Sequence, residues 1–100
     1  MATKKKTVTN LRAVLVTTAN RGVFFGYAAK TDGATIKLQN ARNCLYWSRQ
    51  CGGFMGLAAN GPVGDSRVGA KADIEIRNIT SVTEVTEAAA KVWNDKPVWT

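Results

Sequence analysis

Val23-Phe24-Phe25-Gly26-Tyr27-Ala28-Ala29-Lys30, then Thr31-Asp32-Gly33, then Ala34-Thr35-Ile36-Lys37-Leu38-Gln39 is the stretch that decides the fold class. Its first segment alternates at the period of a β-strand, with Val23, Phe25, Tyr27 and Ala29 on one side and Phe24, Gly26, Ala28 and Lys30 on the other. Both sets are largely apolar, the pattern of a central strand covered on both faces. The last segment alternates more cleanly, placing Ile36 and Leu38 inward and Thr35, Lys37 and Gln39 outward. Between them, Lys30-Thr31-Asp32-Gly33 reads as a tight turn, because Asp-Gly is a favoured pair for a two-residue hairpin.

Working toward the N-terminus, Arg12 to Thr18 contains the apolar, partly β-branched run Ala13-Val14-Leu15-Val16 and reads as a first strand. It is joined to the second through the turn residues Ala19-Asn20-Arg21-Gly22. The three strands form a meander. Met1 to Asn10 is polar, basic and Thr-rich without apolar periodicity, and reads as a disordered basic arm.

Toward the C-terminus, Asn40-Ala41-Arg42-Asn43 breaks the alternation, and Cys44-Leu45-Tyr46-Trp47 reads as a fourth strand. After Gly52-Gly53, the spacing of Phe54, Leu57 and Ala58 predicts a short helix, stopped by Asn60-Gly61-Pro62. Val63 to Gly69 reads as a loop. Ala72 to Ile76 alternates, with Ile74 and Ile76 inward, and Ile79 to Val85 is a further β-branched strand. Thr86 suits an N-cap and Glu87 the positive end of a helix over Ala88 to Trp93, which Asn94-Asp95-Lys96-Pro97 ends. The order predicts an α+β, mostly β domain: a small antiparallel sheet or barrel with one or two short helices. The predicted organisation is an arm over 1–10 and a single β-rich domain over 11–100.

One hundred residues make one domain with a modest core. No apolar run approaches the length needed to cross a bilayer, and the basic tract Lys4-Lys5-Lys6 has no apolar core behind it, so no membrane association or secretory signal is expected and the cytoplasm is the expected compartment. Two cysteines, Cys44 and Cys51, with no histidine read as free thiols. They give no expectation of a metal or other cofactor. The lack of histidine also removes the commonest nucleophile–base pairs, no phosphate-binding glycine loop is present, and Asp73 and Glu75 lie on the outward side of a strand. The expectation is a binding protein and not an enzyme.

The charge is uneven. Residues 1–71 carry eleven Lys/Arg against Asp32 and Asp65, whereas residues 72–100 carry three against five acids. Such a field draws anionic partners. From Gly33 to Gly64 there is no acid, and within that window Arg42 and Arg49 alternate with Tyr46 and Trp47. A guanidinium forks to phosphate and a ring stacks on a base, so Arg42, Tyr46, Trp47 and Arg49 are the candidate ligand-binding residues. The same aromatics suit a core or a subunit contact equally. Trp93 and Trp99 are the candidate interface residues of a homo-oligomer, since tryptophan is enriched at interfaces.

Gly22-Val23-Phe24-Phe25-Gly26-Tyr27, Asp32-Gly33, Leu38-Gln39-Asn40-Ala41-Arg42, Tyr46-Trp47, Leu57-Ala58 with Gly61, and the Ile74 to Glu84 stretch resemble a family of small bacteriophage proteins of unknown function, over most of Arg12 to Ala89. The resemblance implies a phage-encoded chain acting in the host cytoplasm and names no activity. Three readings follow. One is an accessory protein that blocks or sequesters a host defence factor, either a host protein or an anionic nucleotide-type ligand. The second is a nucleic-acid-binding small barrel, and the third a structural or virion assembly protein.

Overall fold

The computed structural model describes residues 11–19 and 22–99. The basic arm expected over 1–10 lies outside the described residues, as do Asn20 and Arg21 of the first turn. Among the described residues, six strands and two helices follow one another: β1 (Arg12–Thr18), β2 (Val23–Ala28), β3 (Thr35–Tyr46), a single 3-10 turn (Arg49–Cys51), α1 (Gly53–Ala59), β4 (Arg67–Val68), β5 (Ala72–Arg77), β6 (Ile79–Glu84) and α2 (Glu87–Asp95). The small α+β, mostly β class expected from the sequence is the fold observed.

All pairings are antiparallel. β4, β3, β2, β1 and β6 lie side by side in that order, and β5 pairs with the first half of β3. β5 and β6 are separated only by Asn78, which turns the chain with φ 60°. Hydrogen bonding therefore runs from β5 through β3, β2 and β1 to β6, and the chain itself joins β6 back to β5. The sheet rolls up, protecting edges that would otherwise stay open.

Rolling the sheet creates two cores. Inside the roll lie Val14 and Val16 of β1, Ala28 of β2, Ile36, Leu38 and Ala41 of β3, and Ile76 of β5. On the outer face of β1 and β2, Leu15, Val23 and Phe25 pack with Leu57 and Ala58 of α1, Trp93 of α2, and Cys51 and Val68. The two-sided apolar character of β2 thus has two separate causes. Gly26 faces the inner core, where an added β-carbon would lie 2.9 Å from the Cβ of Leu38, so close approach of β2 to β3 requires glycine.

β3 departs most from the sequence expectation. Asn40-Ala41-Arg42-Asn43 does not end the strand but bulges it. Asn40 takes φ 52°, its backbone N–H donates to the Asp73 carboxylate at 3.0 Å, and the β3–β5 register shifts between Leu38 and Ala41. Asparagine tolerates this left-handed backbone better than most residues. The extra residue reverses the alternation: Ala41 joins Ile36 and Leu38 inside, and Arg42 and Cys44 turn toward the helical layer.

Other expectations need correction. The β2–β3 connection is no two-residue hairpin; it spans Ala29 to Ala34, with Gly33 at φ 90°. Ile76 is buried, but Ile74, opposite Leu38 in the β3–β5 ladder, is 38% exposed. The segment read as a loop over Val63 to Gly69 contains the two-residue β4. Both helices form where expected. Thr86 caps α2 by accepting from Ala89 N–H at 3.0 Å, and its hydroxyl donates to the Ala59 carbonyl at 2.9 Å, coupling the start of α2 to the end of α1.

Candidate functional site

The candidate residues separate into a buried group and an exposed one. Arg42 is 2% exposed. Its Nε donates to the Gly69 carbonyl at 2.7 Å, and its Nη1 donates to the carbonyls of Trp93 and Lys96, both at 2.6 Å. The guanidinium sits at the C-terminal end of α2, where unpaired carbonyls and the helix dipole favour a cation. Burial pulls its pKa below the ordinary value, yet an arginine stays charged there. The expectation that Arg42 meets a ligand phosphate is corrected: the bulge at Asn40 turns it beneath the helical layer, where it is buried and its Nε and Nη1 donate to main-chain carbonyls.

Trp93 is corrected in the same way. It is fully buried, stacks on Phe25 with ring centroids 5.1 Å apart and 7° between planes, and donates Nε1–H to the Leu57 carbonyl at 3.1 Å. It is a core residue and presents no surface to a second subunit.

Tyr46, Trp47, Arg49 and Trp99 are exposed. β3 delivers Tyr46 to the rim of the fold, where it pairs with Arg67 of β4. This places the Arg67 guanidinium 5.6 Å from the centre of the Tyr46 ring and 5.0 Å from that of Trp99, within cation–π range of both. Trp99 is held there because its N–H donates to the Val68 carbonyl at 3.0 Å, which lays the C-terminal residues beside β4.

Tyr46 also lines a surface hollow of about 410 Å³, together with Ser48, Arg49, Gln50 and Asp65. Two loops make its walls, and buried Ser66 joins them. The Ser66 hydroxyl accepts from Ser48 N–H at 2.9 Å, donates to the Val63 carbonyl at 2.6 Å and lies 3.1 Å from Cys51 Sγ. Ser48 in turn caps the 3-10 turn, its hydroxyl accepting from Gln50 N–H at 3.2 Å. Gly64, at φ 66°, leaves room for Gln50 to lie over the opposite loop, since a β-carbon there would fall 2.0 Å from the Gln50 amide oxygen. Lys96 ties the same loop to the end of α2 by donating to the Gly64 carbonyl at 2.7 Å. Neither Arg49 nor Asp65 belongs to an ion pair among the described residues.

Of the four predicted ligand-binding residues, the hollow therefore brings together Tyr46 and Arg49. Trp47, 36% exposed, leads into the wall without lining it, and Arg42 is elsewhere. Asp65 and Arg67 are additions that the sequence pattern does not reveal. They lie in the segment that reads as a loop, and a two-residue strand is too short to show alternation; only the proximity of an acid and a base around Ser66 marks it in the sequence. A larger hollow, of about 480 Å³, lies at one end of the rolled sheet between Leu11, Lys30, Asp32, Ile36 and Lys37, and has no aromatic ring in its wall.

Among the described residues, no three metal-ligating side chains stand together, and no helix is long and apolar enough to cross a membrane. Both cysteines are free thiols, and burial pushes the Cys44 pKa up to about 11. A family model described as a domain of unknown function (DUF6948) matches residues 11–93. No curated protein and no solved structure matches the chain.

Proposed function

Because this chain belongs to a family of unknown function, DUF6948, its role has to be read from its own side chains, and we propose that it is a non-enzymatic binding protein for an anionic, base-bearing ligand of nucleotide type. One observation carries this reading: Tyr46, half-exposed at the rim, lines a single hollow with Arg49, which forms no ion pair among the described residues, and a second cation, Arg67, rests on the same ring. The ring offers a stacking face and the guanidinium a fork for phosphate. The walls are braced by Ser66 and Ser48, so the loops lose little freedom when a ligand enters.

The resemblance to small bacteriophage proteins supports a narrower form of the proposal. In it, the ligand is a host signal, and a phage accessory protein sequesters it in the host cytoplasm against host defence. Exposed Trp99 supports a homo-oligomer, with this residue rather than Trp93 at the contact.

A second reading, a nucleic-acid-binding module, is favoured by the Arg67–Trp99 contact, which adds another cation–ring unit beyond the hollow. The two differ in salt response. A strand crossing several cations releases counterions and loses affinity steeply with salt; a single nucleotide loses much less.

The test is calorimetric titration of the full chain with nucleoside monophosphates and with a short single-stranded oligonucleotide at two salt concentrations. Saturable nucleotide binding that weakens about tenfold in Arg49→Ala supports the proposal, because one charged hydrogen bond is worth at least that factor. Absence of nucleotide binding together with salt-sensitive oligonucleotide binding selects the second reading. Absence of both overturns each.

A further inference from the structure

Resting on the nucleotide reading of the Tyr46 hollow, we infer that its ligand carries guanine, recognised by Asp65. The hollow holds a cation, Arg49, and an anion, Asp65, that do not pair with each other or with any other charged group among the described residues. An ionised carboxylate only accepts hydrogen bonds. Two neighbouring main-chain donors are engaged elsewhere: Ser48 N–H on the Ser66 hydroxyl and Gln50 N–H on the Ser48 hydroxyl. Asp65, exposed and without an ion-pair partner among the described residues, is open to donors from a ligand, and a ligand without donors there meets only repulsion between its phosphate and this carboxylate.

The ligand complementary to such a hollow has two ends of opposite character. One end is anionic and meets Arg49. The other presents N–H groups to the two oxygens of Asp65. Among the standard bases, guanine alone carries two adjacent donors on one edge, N1–H and the exocyclic N2–H. Adenine and cytosine place a lone pair beside their amino group, which would face one carboxylate oxygen, and uracil has a single N–H between two carbonyls. A purine also covers more of the Tyr46 ring than a pyrimidine does, which strengthens stacking.

The preference is measured by titrating the full chain with guanosine, inosine and adenosine 5′-monophosphates. Guanosine monophosphate is expected to bind roughly tenfold to hundredfold more tightly than adenosine monophosphate, the range of a good bidentate base contact. Inosine monophosphate, which lacks the N2 amino group, should fall between them. Asp65→Asn should bring the guanosine and adenosine affinities together, because an amide presents one acceptor and one donor in place of two acceptors. Asp65 is exposed and makes no ion pair among the described residues, so this variant should melt with the parent. Equal affinity for guanosine and adenosine monophosphates in the parent, or an unchanged ratio in Asp65→Asn, overturns the guanine inference and leaves the nucleotide reading standing. Failure to bind any of the three overturns both.

Discussion

Two arginine–tryptophan neighbourhoods in this fold have opposite fates. Arg42 and Trp93 lie beneath the surface, joined by a hydrogen bond from the guanidinium to the Trp93 carbonyl. Arg67 and Trp99 lie on the surface, the guanidinium resting on the ring. Composition does not distinguish them. The difference is where the donors go. Arg42 places its hydrogen bonds on three main-chain carbonyls, whereas the Arg67 guanidinium meets the faces of two rings. A guanidinium that bridges main-chain carbonyls inside the fold is a structural clamp; one left on a ring at the rim is open to a partner.

The comparison breaks most readily at its buried half. Trp93→Ala removes a fully buried ring that stacks on Phe25 and holds α2 to α1, and is expected to cost about 3–5 kcal/mol of unfolding free energy in a denaturant titration. Arg42→Ala should follow at about 3 kcal/mol, since it strips hydrogen bonds from a charged donor and leaves a cavity at the end of α2. Arg42→Lys is the sharper variant. An ammonium is a point donor and does not reproduce a fork that reaches Gly69 on one side and Trp93 and Lys96 on the other, so it should recover less than half the loss. Full recovery would mean that charge alone, not the guanidinium geometry, holds the helix end.

Ser66→Ala tests whether the hollow's walls are braced. It leaves the Ser48 N–H without its acceptor and is expected to cost about 1–2 kcal/mol. Nucleotide binding should weaken as well, although Ser66 does not line the hollow, because the residues leading into the 3-10 turn of Arg49 and Gln50 lose their hydrogen bond to the Asp65 loop. A stability loss without any change in binding would show the walls to be independent.

How much of this is legible in the sequence follows from the physics of each element. β1, β2, β6 and both helices can be read directly because their alternation, β-branching or caps are local; Thr86 is the clearest case. β3 reads as too short because a bulge residue and a strand end look alike in one sequence, and only pairing with Asp73 and β5 distinguishes them. That single ambiguity also misplaces Arg42, since shifting the alternation by one residue moves every later side chain to the other face. Tyr46 and Arg49 can be found because an acid-free window holding both a ring and a cation is visible without the fold. Asp65 and Arg67 become their neighbours only through β4 and the Ser66 hydrogen bonds, which join segments distant along the chain.

The thiols extend the comparison to pH. Burial raises the Cys44 pKa from 9.0 to about 11. The folded state thus holds its proton in a range where the unfolded chain has released it. Stability from this thiol is complete below pH 9 and is lost as the pH rises toward 11. Urea titrations over that interval should give a shallower decline for Cys44→Ala than for the parent, once the lysines common to both are subtracted.

The smallest expected effect on stability is the most informative one. Arg67→Ala removes an exposed guanidinium whose contacts are two ring faces at the rim, so the unfolding free energy should move by no more than about 0.5 kcal/mol. In the same variant, nucleotide binding should weaken about threefold to tenfold, because a cation leaves the ring that lines the hollow, and the loss should shrink at high salt. The two readouts need to diverge. If Arg67→Ala destabilises the fold as much as Arg42→Ala, the rim arginine is a clamp too, and the division between buried structure and exposed site fails. If it alters neither stability nor binding, the hollow works without its second cation, and Arg49 alone carries the phosphate.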